Sequence, residues 1–87
     1  MEIDWDEEKD AVNRAKHGVG LGEAAGLEWG TAKYEIDERF DYGEDRAIAY
    51  ATLDERLYAC VFTERGQTRR IISSRKANKR EIKRHGI

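Results

Sequence analysis

His17, Glu64, Arg65, Arg70, Arg75 and Lys76 carry most of the chemistry available to this sequence. Attack of an RNA 2′-hydroxyl on its own phosphate needs a base for that proton and an acid for the leaving 5′-oxygen. It also needs cations for the crowded phosphorane charge. Histidine titrates near neutral pH, a glutamate set among arginines can exchange a proton, and guanidinium groups contact phosphate bidentately. These residues therefore suggest His17 and Glu64 as acid or base, and Arg70 and Arg75 as first cations. Lys16, Arg65, Lys76, Lys79 and Arg80 are the wider RNA-binding set. Each also has a plainer reading. His17 with Lys16 suits the negative end of a helix, and Glu64 can pair with Arg65 or a cross-strand arginine. Lys79 and Arg80 fit a solvated or nucleic-acid-facing helix surface.

The elements that must position these groups follow from local signals. Residues 63–85 read as the last turn of a hairpin, an arginine-bearing strand at 68–75 and a short basic helix opened by Asn78 with Glu81 three residues on. Strand alternation sends Arg70 and Arg75 to opposite faces unless a bulge intervenes. Upstream, Glu2-Ile3-Asp4-Trp5 is a short edge strand, and Asp6 caps a helix over 7–17 that Gly18 closes. Leu21, Ala24 and Ala25 recur at helical spacing and predict a second helix within 21–29, against the cost of Gly20, Gly22 and Gly26. Strands follow at 33–37, 46–52 and 56–63, with a loop at 41–44 and a three-residue hairpin at 53–55. The strand at 56–63 is apolar on both faces and belongs at the centre. The expected class is α+β, an antiparallel sheet with helices in the order βααββββα, as one domain over 1–87.

Charge is unevenly spread. Residues 64–87 hold nine Lys or Arg against Glu64 and Glu81, net +7, and residues 1–63 hold seven against sixteen acids, net −9. A basic end on a near-neutral chain is a candidate phosphate site. At 87 residues a chain buries only roughly 60–65% of its unfolded surface, so the core is thin. Cys60, the one cysteine, reads as a small core residue in an apolar run. No apolar run approaches the roughly 18 residues of a membrane span, and the acidic N-terminus is no signal peptide, so a cytoplasmic protein is expected. No metal or cofactor is expected either. His17 and His85 have no metal-ligand spacing, one cysteine makes no zinc knuckle, and the Gly18-Gly20-Gly22 run follows a helix rather than a strand. No Ser/His/Asp constellation assembles from Ser73, Ser74 and two histidines.

A resemblance covers nearly the whole chain. Asp4-Trp5-Asp6 with Lys9, then Lys16-His17-Gly18, Tyr42-Gly43-Glu44 with Arg46, TERG at 63–66, RIISSRKA at 70–77 and a basic helix from Asn78 are together similar to the BrnT toxin family. The chain departs from that pattern in its glycine-rich 19–30 stretch and at Ala47. The resemblance implies a compact fold of the RelE ribonuclease-toxin type and RNA cleavage that slows translation. It further implies neutralisation by a BrnA-like ribbon-helix-helix antitoxin, with operator DNA bound only through the antitoxin complex. Cleavage through the 2′-hydroxyl would be metal-independent, because the basic end offers only Glu64 and Glu81 as carboxylates. Two other readings use the same residues: a non-catalytic RNA- or DNA-binding module acting in transcriptional autoregulation, and a protein-interaction subunit that docks an acidic helix.

Overall fold

The computed structural model describes residues 1–38 and 43–86; Asp41 and Tyr42 of the expected loop lie outside them. Its elements are β1 (Glu2–Trp5), α1 (Glu7–His17), two 3₁₀ turns (Leu21–Gly26 and Trp29–Thr31), β2 (Lys33–Ile36), β3 (Ala47–Leu53), β4 (Arg56–Arg65), β5 (Thr68–Lys76) and α2 (Lys79–His85). The strands form one sheet in the order β1-β5-β4-β3-β2, with β4 at its centre as its two apolar faces require.

The sheet is mixed, which corrects the antiparallel expectation. β1 runs parallel to β5, from Glu2 against Thr68 to Trp5 against Ile71, while every other pairing is antiparallel. The β3–β4 hairpin turns on two residues rather than three. Asp54 and Glu55 both have positive φ, 51° and 66°, which matches the right-handed twist of the flanking strands.

The segment after α1 also departs from the expected α-helix. It is a 3₁₀ turn in which Leu21, Ala24 and the following Leu27 are buried while Ala25 is exposed. That spacing of three is the period of the tighter helix. Gly22 explains the preference: a Cβ there would meet the Trp5 ring at 3.0 Å, so the bare backbone lies against the indole. Leu21, Ala24 and Leu27 pack with Ala49, Cys60, Phe62 and Ile71 on one sheet face. Cys60 is fully buried, and burial pushes its thiol up to about 12, so it is an inert core group.

The opposite face carries Tyr50, Leu57, Ala59 and Ala77, and α2 lays Ile82 on them. α2 opens with the expected capping box, Asn78 accepting from the Glu81 N–H and Glu81 accepting from the Asn78 N–H, both at 2.9 Å. No helix among the described residues is long and apolar enough to cross a membrane.

Candidate functional site

α1 is placed by polar contacts rather than by an apolar stripe. Asp6 caps its start, and Gly18 at φ 70° ends it in the left-handed conformation. Its two buried residues are Asp10 and Asn13. Asp10 accepts from the Leu21 N–H at 2.7 Å and from Arg14 Nε at 2.9 Å; the Leu21 hydrogen bond, followed by that of Arg14, holds its carboxyl below the usual range. Asn13 donates to the Val19 and Ser74 carbonyls at 2.8 Å each and accepts from the Ser74 N–H at 3.2 Å. β1 pairs with β5 only as far as Ile71, so the Asn13 amide continues that edge in place of a strand. His17 lies one helical turn beyond Asn13, and this contact therefore anchors the end of α1 that carries Lys16 and His17.

β5 contains the bulge on which the two arginines depend. Phe62 pairs with Ile71 but its neighbour Val61 pairs with Ser73, so Ile72 is the extra residue. Arg70 is opposite Thr63 and Arg75 is opposite Ala59, four residues apart on the regular strand β4. The two guanidinium groups thus share one face, the face α2 partly covers.

Below α2 that face is open. A cavity of about 290 Å³ is lined by Lys16 and His17 from α1, Ile48 from β3, Val61 from β4, and Ser73 and Arg75 from β5. Arg75 is anchored at its upper rim by Glu81, in a bidentate pair of 2.7 and 2.8 Å. The Glu81 side chain is 8% exposed. The Arg75 hydrogen bonds are the main cause that brings its carboxyl down to about 2, against the opposing effect of burial. The Tyr50 hydroxyl donates to the same carboxylate at 3.2 Å, and burial first, then the Glu81 charge, push that phenol up. His85 stacks on the Tyr50 ring at 4.1 Å and bonds Glu35 at 2.8 Å, which ties α2 down to β2.

Of the residues singled out in the sequence, the structure brings His17, Lys16 and Arg75 around this groove, with Arg70 on the same face and paired to Asp4 at 2.5 Å. Glu64 is not among them. It pairs with Arg69 across the strands at 3.3 Å, on the Phe62 side of the sheet. Arg65 is at the far hairpin, 3.4 Å from Glu44. Lys76, Lys79 and Arg80 are exposed around the start of α2. Sequence reasoning missed Asn13, Ser73 and the clamp role of Glu81. Only the last had a local signal, the capping box, and that signal hides the bond to Arg75.

A larger cavity, about 520 Å³, lies on the other side around Tyr34, Ala47, Phe62, Glu64 and Arg69. Glu44 and Asp45 add to Glu64 there. Both of its arginines have partners: Arg46 lies 3.8 Å from Glu44, and the Arg69 guanidinium is 4.7 to 5.2 Å from the Phe62, Trp29 and Tyr34 ring centroids and donates to the Tyr34 hydroxyl at 2.9 Å. Size alone favours this cavity, but its charge does not suit a phosphate, and the groove under α1 is the better candidate.

Comparison with protein families matches residues 5–81 to the model described as "Ribonuclease toxin, BrnT, of type II toxin-antitoxin system". The chain belongs to the BrnT family. Its fold is similar to the crystal structure, at 1.1 Å resolution, of the Brucella abortus ribonuclease toxin, BrnT, with a TM-score of 0.73 and 28% identity over 91% of this chain and 99% of that one. Curated protein sequences give no match. The likeness covers the α+β fold, and in this chain that fold carries a mixed five-stranded sheet.

Proposed function

We propose that this chain, acting as one domain over residues 1–87, is the endoribonuclease toxin of a type II toxin-antitoxin system and cuts RNA on the face shared by Arg70 and Arg75. The observation that carries the reading is the bulge at Ile72, which puts both arginines on one face, with Arg75 lining the groove beside Lys16 and His17. In this reading His17 takes the proton of the 2′-hydroxyl, which attacks the adjacent phosphorus to form a 2′,3′-cyclic phosphate as the bond to the 5′-oxygen breaks, and that oxygen leaves as a hydroxyl with a proton drawn from water. Arg75, held in a fixed orientation by Glu81, faces the phosphorane oxygens, and Lys16 and Arg70 hold the neighbouring phosphates. Glu64, on the other side of the sheet, takes no part. Cleavage is metal-independent, slows translation and takes place in the cytoplasm.

The partner is a BrnA-like ribbon-helix-helix antitoxin that lays carboxylates over this cationic face, and operator DNA is contacted through that complex alone. Complementary charge speeds such an encounter. Hydrogen exchange in the complex should show protection over β5 and α2; protection confined to residues 1–40 would count against it.

An oligoribonucleotide with a single 2′-deoxy substitution 5′ to the scissile phosphate tests the chemistry, assayed with and without EDTA. Cutting should vanish at the deoxy position and persist in EDTA. Cutting at the deoxy site, or loss in EDTA that magnesium restores, refutes the mechanism. The non-catalytic alternative predicts RNA binding with no covalent product at all.

A further inference from the structure

A second cavity adjoins the groove and has a different character. It is about 340 Å³, lies between α1 and β5, and has Val12 and Ile72 as its apolar walls. Lys16, His17 and Ser73 line both cavities, so the two are compartments of one depression. Val12 is the one large aliphatic residue that α1 leaves on the surface, 65% exposed. Ile72 is the bulged residue itself. The irregularity that turns Arg70 and Arg75 to one face therefore also supplies an apolar wall next to them. At the rim stands Glu8, whose carboxylate makes no hydrogen bond or ion pair among the described residues. Asn13 lines the cavity too, but its amide is spent on Val19 and Ser74.

We propose that this compartment is a nucleobase subsite for the nucleotide adjoining the phosphate held in the groove, and that Glu8 selects a base presenting N–H donors, guanine above all. The inference rests on the ribonuclease reading. A nucleotide is a flat, largely apolar base joined to a phosphate, and the depression has the same division. One half is walled by Val12 and Ile72, the other holds the Arg75 guanidinium, and Lys16 lies between the two. A carboxylate repels phosphate, so Glu8 is misplaced for gripping backbone. It accepts from base edges, where guanine offers two adjacent donors at N1 and N2. Lys9 beside it keeps the rim cationic enough for RNA to approach.

The test uses a 2′-O-methyl oligonucleotide carrying one 6-thioguanosine, which cannot be cut, irradiated with the full-length protein, with adducts mapped by mass spectrometry. Adducts are expected on residues 8–17 or 72–73, reduced at least about fivefold in the Val12→Ser variant, whose exposed position leaves folding intact. In parallel, random-sequence RNA is digested and the cut ends sequenced. Wild type should favour guanine beside the cut, and Glu8→Gln should lower that preference about tenfold, whereas a purely electrostatic role would tighten all sequences alike. Adducts confined to other surfaces, an unchanged base profile, or variants that weaken only antitoxin binding would each overturn the subsite. If the wild type binds and cross-links as expected but cuts no RNA, the subsite stands and the ribonuclease reading falls.

Discussion

The two faces of the sheet are closed by different forces. Under the Leu21–Gly26 turn, Leu21, Ala24, Leu27, Cys60, Phe62 and Ile71 exclude water, and glycine lets Trp5 lie against bare backbone. Under α2 the apolar set is smaller, Tyr50, Leu57, Ala59 and Ala77 with Ile82, and charge supplements it: Arg75 with Glu81, and His85 and Arg84 with Glu35. Hydrophobic closure seals the part of the sheet under that turn, and the 520 Å³ cavity of the same face lies beyond it, around Tyr34 and Glu64. An ionic clamp fixes a helix at a few points and leaves the sheet beside it accessible, which is where the groove lies. The pairing also redistributes the basic end: Arg69, Arg70, Arg75 and Arg84 each have an acid partner, while Lys16, Lys79 and Arg80 form no ion pair among the described residues.

The sharpest way to break this division is at His17. His17→Ala should slow RNA cleavage by about 10²–10⁴-fold, the usual worth of a general base, with no change in thermal melting because the side chain is exposed. Steady-state cleavage with a melting curve checks both halves, and unchanged cleavage would remove the groove as the reactive face. On the closed face the effect should be the reverse. Leu21→Ala, at a fully buried position, should cost about 2–5 kcal/mol in urea unfolding, while Val12→Ala on exposed α1 should stay within about 0.5 kcal/mol.

The clamp itself should respond to acid. Glu81 is held down to about 2, below its ordinary 4.5, so its contribution is fully present above pH 4.5 and is lost as pH falls toward 2. The loss should be on the order of 2–3 kcal/mol. Denaturant midpoints through that window should fall for wild type and flatten for Glu81→Gln; equal slopes in both would show that another carboxylate is responsible. For the same reason Arg75→Ala should destabilise as well as inactivate, since it strands a buried carboxylate. The smallest effect is expected at Glu64. Glu64→Gln breaks an exposed pair with Arg69, worth about 0–1 kcal/mol, and should leave cleavage within about threefold of wild type. A large loss would restore Glu64 to the reactive set and place RNA on both faces.

Local chemistry was legible. The Asp6 cap, the Gly18 terminator, the Asn78–Glu81 capping box, the central position of the strand at 56–63 and the burial of Cys60 all follow from residues within a few positions of one another. The 3₁₀ turn was half legible: Leu21, Ala24 and Leu27 recur by three, but a period of three and one of 3.6 separate poorly over seven residues when alanine fills the intervening place.

By itself, then, the sequence determined where the two α-helices start, where the first one stops, which strand is central, and that arginines gather on the last one, because capping and apolar patterning are short-range. The tertiary structure alone decided which face those arginines share. A period-two pattern reads the same for parallel and antiparallel neighbours, so Glu2–Trp5 could not announce its direction against β5. A single extra residue at Ile72 inverts every side chain beyond it, and that residue is defined only by its pairing with β4. The amide of Asn13 sits 61 positions from its partner Ser74, and Glu64 falls on the far side of the sheet from His17 because strand register, not sequence proximity to arginines, sets where a carboxylate points.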